Sequence, residues 1–245
     1  MTLKITPFFN ESHLLPFHLK YYDWVEVDIY FDFGSTDSSA AIIREHQKKT
    51  GRDIRIINCD TKEYREDVLM LIRNHYYKYG ANTGFDYTII ADVDEFIYSK
   101  NLTAKLAEKR FDAYYCKCLD IISEEEIDDR PIIEQVKLGQ FNDKYSKISI
   151  FDPKIDIRYD WGCHGANPVW LNENGAINIC EEDFYILHLR FFGKKFFLNN
   201  NKSKHARIKD YGRTHNVGDH YLNEEQELHS FFNTQLQNSH NILFK

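Results

Sequence analysis

Three carboxylates stand together in Ile89-Ile90-Ala91-Asp92-Val93-Asp94-Glu95-Phe96, directly behind an apolar run with no polar alternation. In extended chain, side chains two apart share a face, so Asp92 and Asp94 are expected to point together and Val93 away from them. Neighbouring carboxylates repel one another unless a positive charge lies between them. A hard divalent cation held through oxygen meets that need and keeps positions open for substrate phosphates. The alternative is an ordinary acidic turn after a strand.

Such a motif needs a rigid framework behind it, and the first hundred residues alternate strand and helix. Residues 4–9 form a short apolar run ended by Asn10-Glu11, and 12–22 reads as a helix. Residues 25–31 form a β-branched and aromatic strand. Gly34-Ser35-Thr36-Asp37 then makes a turn and offers caps for a helix through Lys49. A third strand at 54–58, a helical spacing over 64–79 and a buried strand at 87–91 complete the series. Strands separated by helices imply an α/β fold with a parallel, doubly wound sheet. In such sheets ligands gather at the carboxyl ends of the strands, where Asp92 stands.

Beyond Asp94 the rhythm changes. The sequence predicts a helix over 103–109, strands over 113–118, 147–151, 155–159 and 184–189, and a polar C-terminal stretch that is helical in two pieces. The acidic run Glu124-Glu125-Glu126 with Asp128-Asp129 reads as a solvated loop. With no internal repeat and no linker rich in Pro, Gly or Ser, one compact domain is expected.

The 245 residues are 42% hydrophobic, enough for a full core. An aromatic share of 15% suits stacking on sugar or base rings and equally suits an aromatic core. The net charge of -7 argues against nucleic-acid binding, which relies on clustered Lys and Arg. Yet Arg190, Lys194, Lys195, Lys202, Lys204, Arg207, Lys209 and Arg213 crowd residues 190–213 against a single acid, Asp210. That segment can meet a diphosphate, an anionic acceptor or a membrane surface, or simply form a solvated helix face. Cys59, Cys116, Cys118, Cys163 and Cys180 have neither zinc-site nor disulfide spacing. With no signal peptide and no membrane-spanning run, a cytoplasmic location is expected, with peripheral contact to the inner face of the membrane through 190–213.

These motifs resemble the GT-A glycosyltransferases, in particular family-2-like members. Phe9-Asn10-Glu11 followed by a helix looks like that family's first strand and turn. Asp32-Phe33-Gly34-Ser35-Thr36-Asp37 looks like its D-x-G-S-T-D loop, and Arg73-Asn74 resembles its R-N element. Asp92-Val93-Asp94-Glu95-Phe96 matches its metal motif. Together these span residues 5–97 in the family's order. Later, Lys147–Phe151 with Asp152-Pro153, Trp161-Gly162-Cys163-His164-Gly165, and His188-Leu189-Arg190 look like the subgroup's K-x-x-x-x-x-P, H-G and H-x-R elements.

The resemblance implies a Rossmann-like mixed sheet with helices on both faces and a mainly helical C-terminal segment. It divides the domain into a nucleotide-binding half at 1–97, an acceptor-side half at 98–190 and a helical extension or lid at 191–245. It implies a nucleotide-sugar donor, with UDP as nucleotide, a Mn²⁺ or Mg²⁺ ion, and a glycan, polysaccharide or lipopolysaccharide acceptor. Phe9, Asn10, Glu11, Asp32, Arg73, Asp92 and Val93 become donor-site candidates, with Asp32 on the uridine side. On the residues alone, Asp32 can instead be a turn carboxylate or helix cap, and Arg73 can form a surface ion pair. Asp92, Asp94 and His188 become the metal set, with His164 as second choice to His188; an imidazole ligand favours Mn²⁺ over Mg²⁺. Inverting members use an acidic base, for which Asp160, His164 and Glu182 are candidates; Glu95, Glu181 and Asp183 compete. A sugar nucleotidyltransferase would share sheet and carboxylates but needs a Gly-rich phosphate loop, which Pro7-Phe8-Phe9-Asn10 is not. A non-catalytic carbohydrate- or nucleotide-binding relative would not need Asp92 and Asp94 together.

Overall fold

The first strand, β1 (Thr2–Phe8), is buried along its whole length, as expected of a parallel strand covered on both faces. It pairs in parallel with β2 (Val27–Asp32) on one side and with β4 (Tyr87–Ile90) on the other. β2 in turn pairs in parallel with β3 (Asp53–Asn58), giving the order β3-β2-β1-β4. Described in the computed structural model are residues 1–59, 61, 63, 65–163, 177–208, 214–215 and 224–242.

Helices α1 (Leu15–Tyr21) and α2 (Ser39–Thr50) cover one face of these strands, where Leu15, Leu19 and Ile43 pack against Phe8, Tyr30 and Ile54. Helix α3 (Glu66–His75) covers the other, with Leu69 and Ile72 against Leu3, Ile5 and Ile29; the short α4 (Lys78–Thr83) follows it. The fold is therefore α/β and doubly wound in its first half.

The second half extends the sheet with mixed strands. β8 (Lys147–Phe151) lies antiparallel between β4 and the long β6 (Ala113–Ser123). β10 (Tyr185–Phe192) runs parallel to β6 and antiparallel to β5 (Glu95–Tyr98). Short strands β7 (Leu138–Phe141), β9 (Ile179–Cys180) and β11 (His240–Asn241) complete it, and α5 (Leu102–Ala107) and α6 (Ile132–Gln135) fill connections. At the C-terminal side, α7 (Lys194–Arg207) and α8 (Glu225–Asn238) close a small core of Phe191, Phe197, Leu228 and Phe232. Among the described residues, no helix is long and apolar enough to cross a membrane.

Three local departures from the sequence pattern have physical causes. The helix expected over 12–22 begins only at Leu15, because the Glu11 carbonyl accepts both the Leu14 and Leu15 N–H groups in a preceding turn. The helical run over 64–79 breaks into α3 and α4, with the fully buried Tyr77 at the junction. The strand expected over 155–159 joins no sheet. Its Ile157 N–H donates to the Tyr77 hydroxyl (2.8 Å) and its Tyr159 N–H to Asn74 Oδ1 (2.6 Å), so side chains satisfy what a neighbouring strand would have.

Antiparallel β8 also delivers a buried countercharge. Lys147 Nζ donates to both oxygens of Glu95, at 2.6 and 2.9 Å, and both side chains are almost fully buried. Removing one member of such a pair leaves an uncompensated charge in low dielectric. Lys147→Met is expected to lower unfolding free energy by about 3–5 kcal/mol, and Lys147→Met/Glu95→Gln to recover a large part of that. Denaturant titration of the three proteins checks this; a double variant no better than the single one would contradict it.

Candidate functional site

β4 ends at Ile90, and the backbone turns almost at once. The Glu95 N–H donates to the Asp92 carbonyl at 3.0 Å, while the Asp92 N–H donates to Glu95 Oε2, also at 3.0 Å. The three carboxylates therefore sit on a closed turn, where an extended segment was expected. Val93 is buried among the residues beneath α1, and Asp92 and Asp94 line one cavity. That cavity opens at the carboxyl edge of the parallel strands, where Phe8 ends β1, Phe33 follows β2 and Asp92 follows β4. It encloses about 1110 Å³ including its open mouth.

Each carboxylate has its own neighbour. Arg73 Nη2 donates to both oxygens of Asp92, at 2.8 and 2.9 Å. Burial disfavours the Asp92 anion, but Arg73 and Lys147 outweigh it and hold its pKa below the ordinary value. Asp94 Oδ2 lies 3.6 Å from His188 Nε2. Burial opposes ionisation here too, and the His188 contact and the charge of Lys204 hold Asp94 well below the usual carboxylate range. On the far side of the ring, His188 Nδ1 lies 2.7 Å from Asp120 Oδ1, and Asn142 donates to Asp120 Oδ2 at 2.6 Å. Burial would lower the His188 pKa, yet its hydrogen bond to Asp120 and the nearby Asp94 carboxylate raise it well above the ordinary value.

This arrangement has the form of a metal ligand with its orienting partner: a carboxylate fixes one imidazole nitrogen and leaves the other for the ion. Asp92, Asp94 and His188 all line the cavity, two carboxylates and one imidazole, groups of the kinds that suit Mn²⁺. Among the described residues, the one cluster of three such groups already close enough to share an ion is Asp120 and His188 with Cys118. Burial pushes its thiol pKa up, however, disfavouring the thiolate that a metal requires. Glu11 supports the Asp94 side. It is 8% exposed, lines the cavity, and its Oε2 is buried without a hydrogen-bond partner among the described residues. Burial pushes its pKa up to about 8; Lys204 opposes this, and Asp94 and Asp92 add to it.

Cations share the same cavity. Arg65, Arg190, Lys204 and Arg207 line the cavity together with Arg73. The Arg207 guanidinium lies 3.6 Å from the centroid of the Phe9 ring, and Nη2 donates to the Phe33 carbonyl at 3.0 Å. Arg190 donates to the Tyr145 hydroxyl at 2.9 Å, and the Tyr145 ring lies 4.8 Å from that of His188. The basic segment is thus divided: Arg190, Lys204 and Arg207 face the cavity, whereas Lys194 bonds Asn233 and Lys202 pairs with Glu225 at the surface.

Of the residues singled out by sequence, Phe9, Glu11, Arg73, Asp92, Val93, Asp94 and His188 come together around this cavity. Asn10 and Asp32 lie beside it and shape its rim. Asn10 Oδ1 accepts the Thr36 N–H at 2.8 Å, and Asp32 Oδ1 accepts the Ser35 N–H at 2.8 Å, making Asp32 a turn carboxylate. Two base candidates are placed elsewhere. Asp160 is exposed before the Trp161–Cys163 turn, and Glu182 is exposed ahead of β10, several residues short of His188; neither lines the cavity. His164, together with Lys209 and Arg213, lies outside the described residues. Sequence analysis missed Glu66, Asp120 and Tyr145. Glu66 accepts the Gly162 N–H at 2.7 Å and lies 3.6 Å from Arg73. An acid inside the apolar run Cys118-Leu119-Asp120-Ile121-Ile122 was the available signal for Asp120.

No family model and no curated protein matches the chain. Three similar solved structures are distant. The mannosyltransferase PcManGT from Pyrobaculum calidifontis, in complex with GDP-Man and Mn²⁺, is 16% identical over 47% of this chain, with a TM-score of 0.35. Staphylococcal TarS 1-349 (S. aureus) in complex with UDP is 12% identical, covering 91% of this chain and 71% of that one, with a TM-score of 0.43. HddC from Yersinia pseudotuberculosis is 10% identical, covering 83% of this chain and 99% of that one, with a TM-score of 0.40. The chain spans 34% of the mannosyltransferase's length.

The raised Glu11 pKa carries a sign. Between about 4.5 and 8 the folded chain keeps a proton that the unfolded chain has lost, so this group's stabilisation falls as pH rises through that window. Without metal, Glu11→Gln is expected to stabilise the fold by a few kcal/mol more at about pH 9 than at about pH 5. Unfolding titrations at the two pH values check it; an equal effect at both would contradict the assignment.

Proposed function

We propose that the chain is a metal-dependent glycosyltransferase, moving a sugar from a UDP-sugar to a glycan, polysaccharide or lipopolysaccharide acceptor with inversion. The observation that carries this reading is the placement of Asp94 against His188, itself locked by Asp120, in a cavity also lined by arginine and lysine at the carboxyl edge of a parallel sheet. Carboxylates and cations lining a single cavity suit a ligand that is polyanionic and bound together with a cation. The resemblance of residues 5–97 to family-2-like enzymes supplies the nucleotide.

In this reading Phe9 and Phe33, with the rim loop that Asn10 and Asp32 hold, flank the nucleoside. Arg65, Arg207 and Lys204 surround the diphosphate, and Arg190 stands on the acceptor side of His188. Asp92, Asp94 and His188 would hold the divalent ion, which would supply charge to offset the leaving diphosphate. The acceptor hydroxyl oxygen bonds the anomeric carbon as its bond to the diphosphate oxygen breaks, and the hydroxyl proton passes to a base. Arg73 keeps Asp92 ionised and directed, so that its carboxylate enters the reaction already oriented.

Calorimetry with UDP, GDP and other nucleoside diphosphates, with and without Mn²⁺, tests the reading. The native chain is expected to bind UDP only with metal, and Asp94→Asn to weaken that binding about 100-fold or more while unfolding as the native chain does. Binding that ignores the metal, or no binding to any nucleotide, would overturn it.

A further inference from the structure

The turn that carries Asp92 and Asp94 is held from beneath by α1. His18 Nδ1 lies 2.9 Å from the carbonyl oxygen of Val93, the peptide between the two acids. Its other nitrogen, Nε2, lies 2.8 Å from Lys4 Nζ. Both side chains are fully buried. An ammonium group has three protons to give and no lone pair. Lys4 also donates to Thr6 Oγ1 at 2.7 Å, pairs with Asp28 Oδ1 at 2.9 Å and lies 3.4 Å from the Tyr30 hydroxyl, and without a lone pair it can meet His18 only as a donor. His18 Nε2 is then the acceptor, the ring proton sits on Nδ1, and Nδ1–H donates to Val93. Burial and the charge of Lys4 both push the His18 pKa well below its ordinary value, in keeping with a neutral ring.

The same helix grips the chain further on. The Tyr22 hydroxyl donates to the Glu95 carbonyl at 3.0 Å and accepts the Ile97 N–H at 2.8 Å. The opposite end of α1 is anchored on the carbonyl of Glu11, whose side chain lines the cavity. One short helix therefore ties the loop after β1 to the turn after β4.

We propose that His18 is a positioning residue of the metal site: its neutral ring, oriented by Lys4, fixes the Val93 peptide and thereby the direction of Asp92 and Asp94. The inference rests on the assignment of those acids as metal ligands. A hydrogen bond that served folding alone would change stability and leave ion affinity where it was.

Two amide variants separate these roles. In His18→Asn the amide nitrogen reaches roughly where Nδ1 stands and keeps the bond to Val93; in His18→Gln it reaches roughly where Nε2 stands and loses that bond. Mn²⁺ uptake by the full-length chain, read by electron paramagnetic resonance of the free ion, is measured beside thermal unfolding. His18→Asn is expected to stay within about threefold of native affinity and His18→Gln to fall about 10–100-fold, at similar melting temperatures. Equal Mn²⁺ affinities in the two variants would overturn the proposal. If His18→Gln does not fold, His18→Asn decides: native-like uptake supports the proposal, and a loss beyond about tenfold overturns it. A native chain that takes up Mn²⁺ but no UDP fails the transferase reading alone, while the Mn²⁺ comparison still decides the role of His18. A native chain that takes up no Mn²⁺ overturns both.

Discussion

At the carboxyl edge of the sheet, acidic side chains crowd a largely buried space, and each must find a countercharge or keep a proton. Glu95 is answered by Lys147 at 2.6 Å, Asp92 by Arg73 at 2.8 Å, and Asp94 and Asp120 share His188. Glu11 takes the other course, its pKa pushed up to about 8 by burial. This constraint explains why strands so distant in sequence must meet here. Antiparallel β8 is needed to bring Lys147, β10 to bring His188 opposite Glu95 and Asp120, and α3 to bring Arg73. An ionised group in low dielectric without its partner would cost several kcal/mol, so the second half of the sheet is energetically bound to the first.

The same constraint leaves acids and cations interleaved around the cavity: Arg73 bonds Asp92, and the charge of Lys204 acts on both Asp94 and Glu11. Part of the lining arrives from far away: Arg207, on α7, bonds the carbonyl of Phe33, 174 residues earlier. Its guanidinium also lies on the Phe9 ring, so the C-terminal helix closes one side of the space that the first two strands open. The small aromatic core around Phe197 and Phe232 holds α7 in that position.

Much of this was legible in the sequence, for reasons of chain geometry. Runs rich in apolar, β-branched and aromatic residues before Asn10, Asp32 and Asp92 mark three parallel strands and their carboxyl ends, and a D-x-D at such an end is a local pattern. His188 was also legible, as a histidine in a strand far downstream. What was hidden depends on contacts between distant segments. Nothing local distinguishes Lys147 as the partner of Glu95, or Asp120 as the partner of His188, because the pairing is set by strand register. The backbone at 155–159 looked like a strand because Ile155, Ile157 and Tyr159 alternate inward, but Tyr77 and Asn74 bond its N–H groups. Asp160 and Glu182 had the right chemistry for a base, and both are exposed and absent from the cavity lining.

The account stands or falls on where a divalent ion binds. Crystals grown with UDP and Mn²⁺, with diffraction recorded at the manganese absorption edge, would locate it directly. The account predicts one anomalous peak, bonded to Asp94 and to Nε2 of His188, with the nucleotide diphosphate beside it against Arg207 and Lys204. A peak held by Cys118 and Asp120, or an ordered nucleotide with no peak near Asp94, would contradict it.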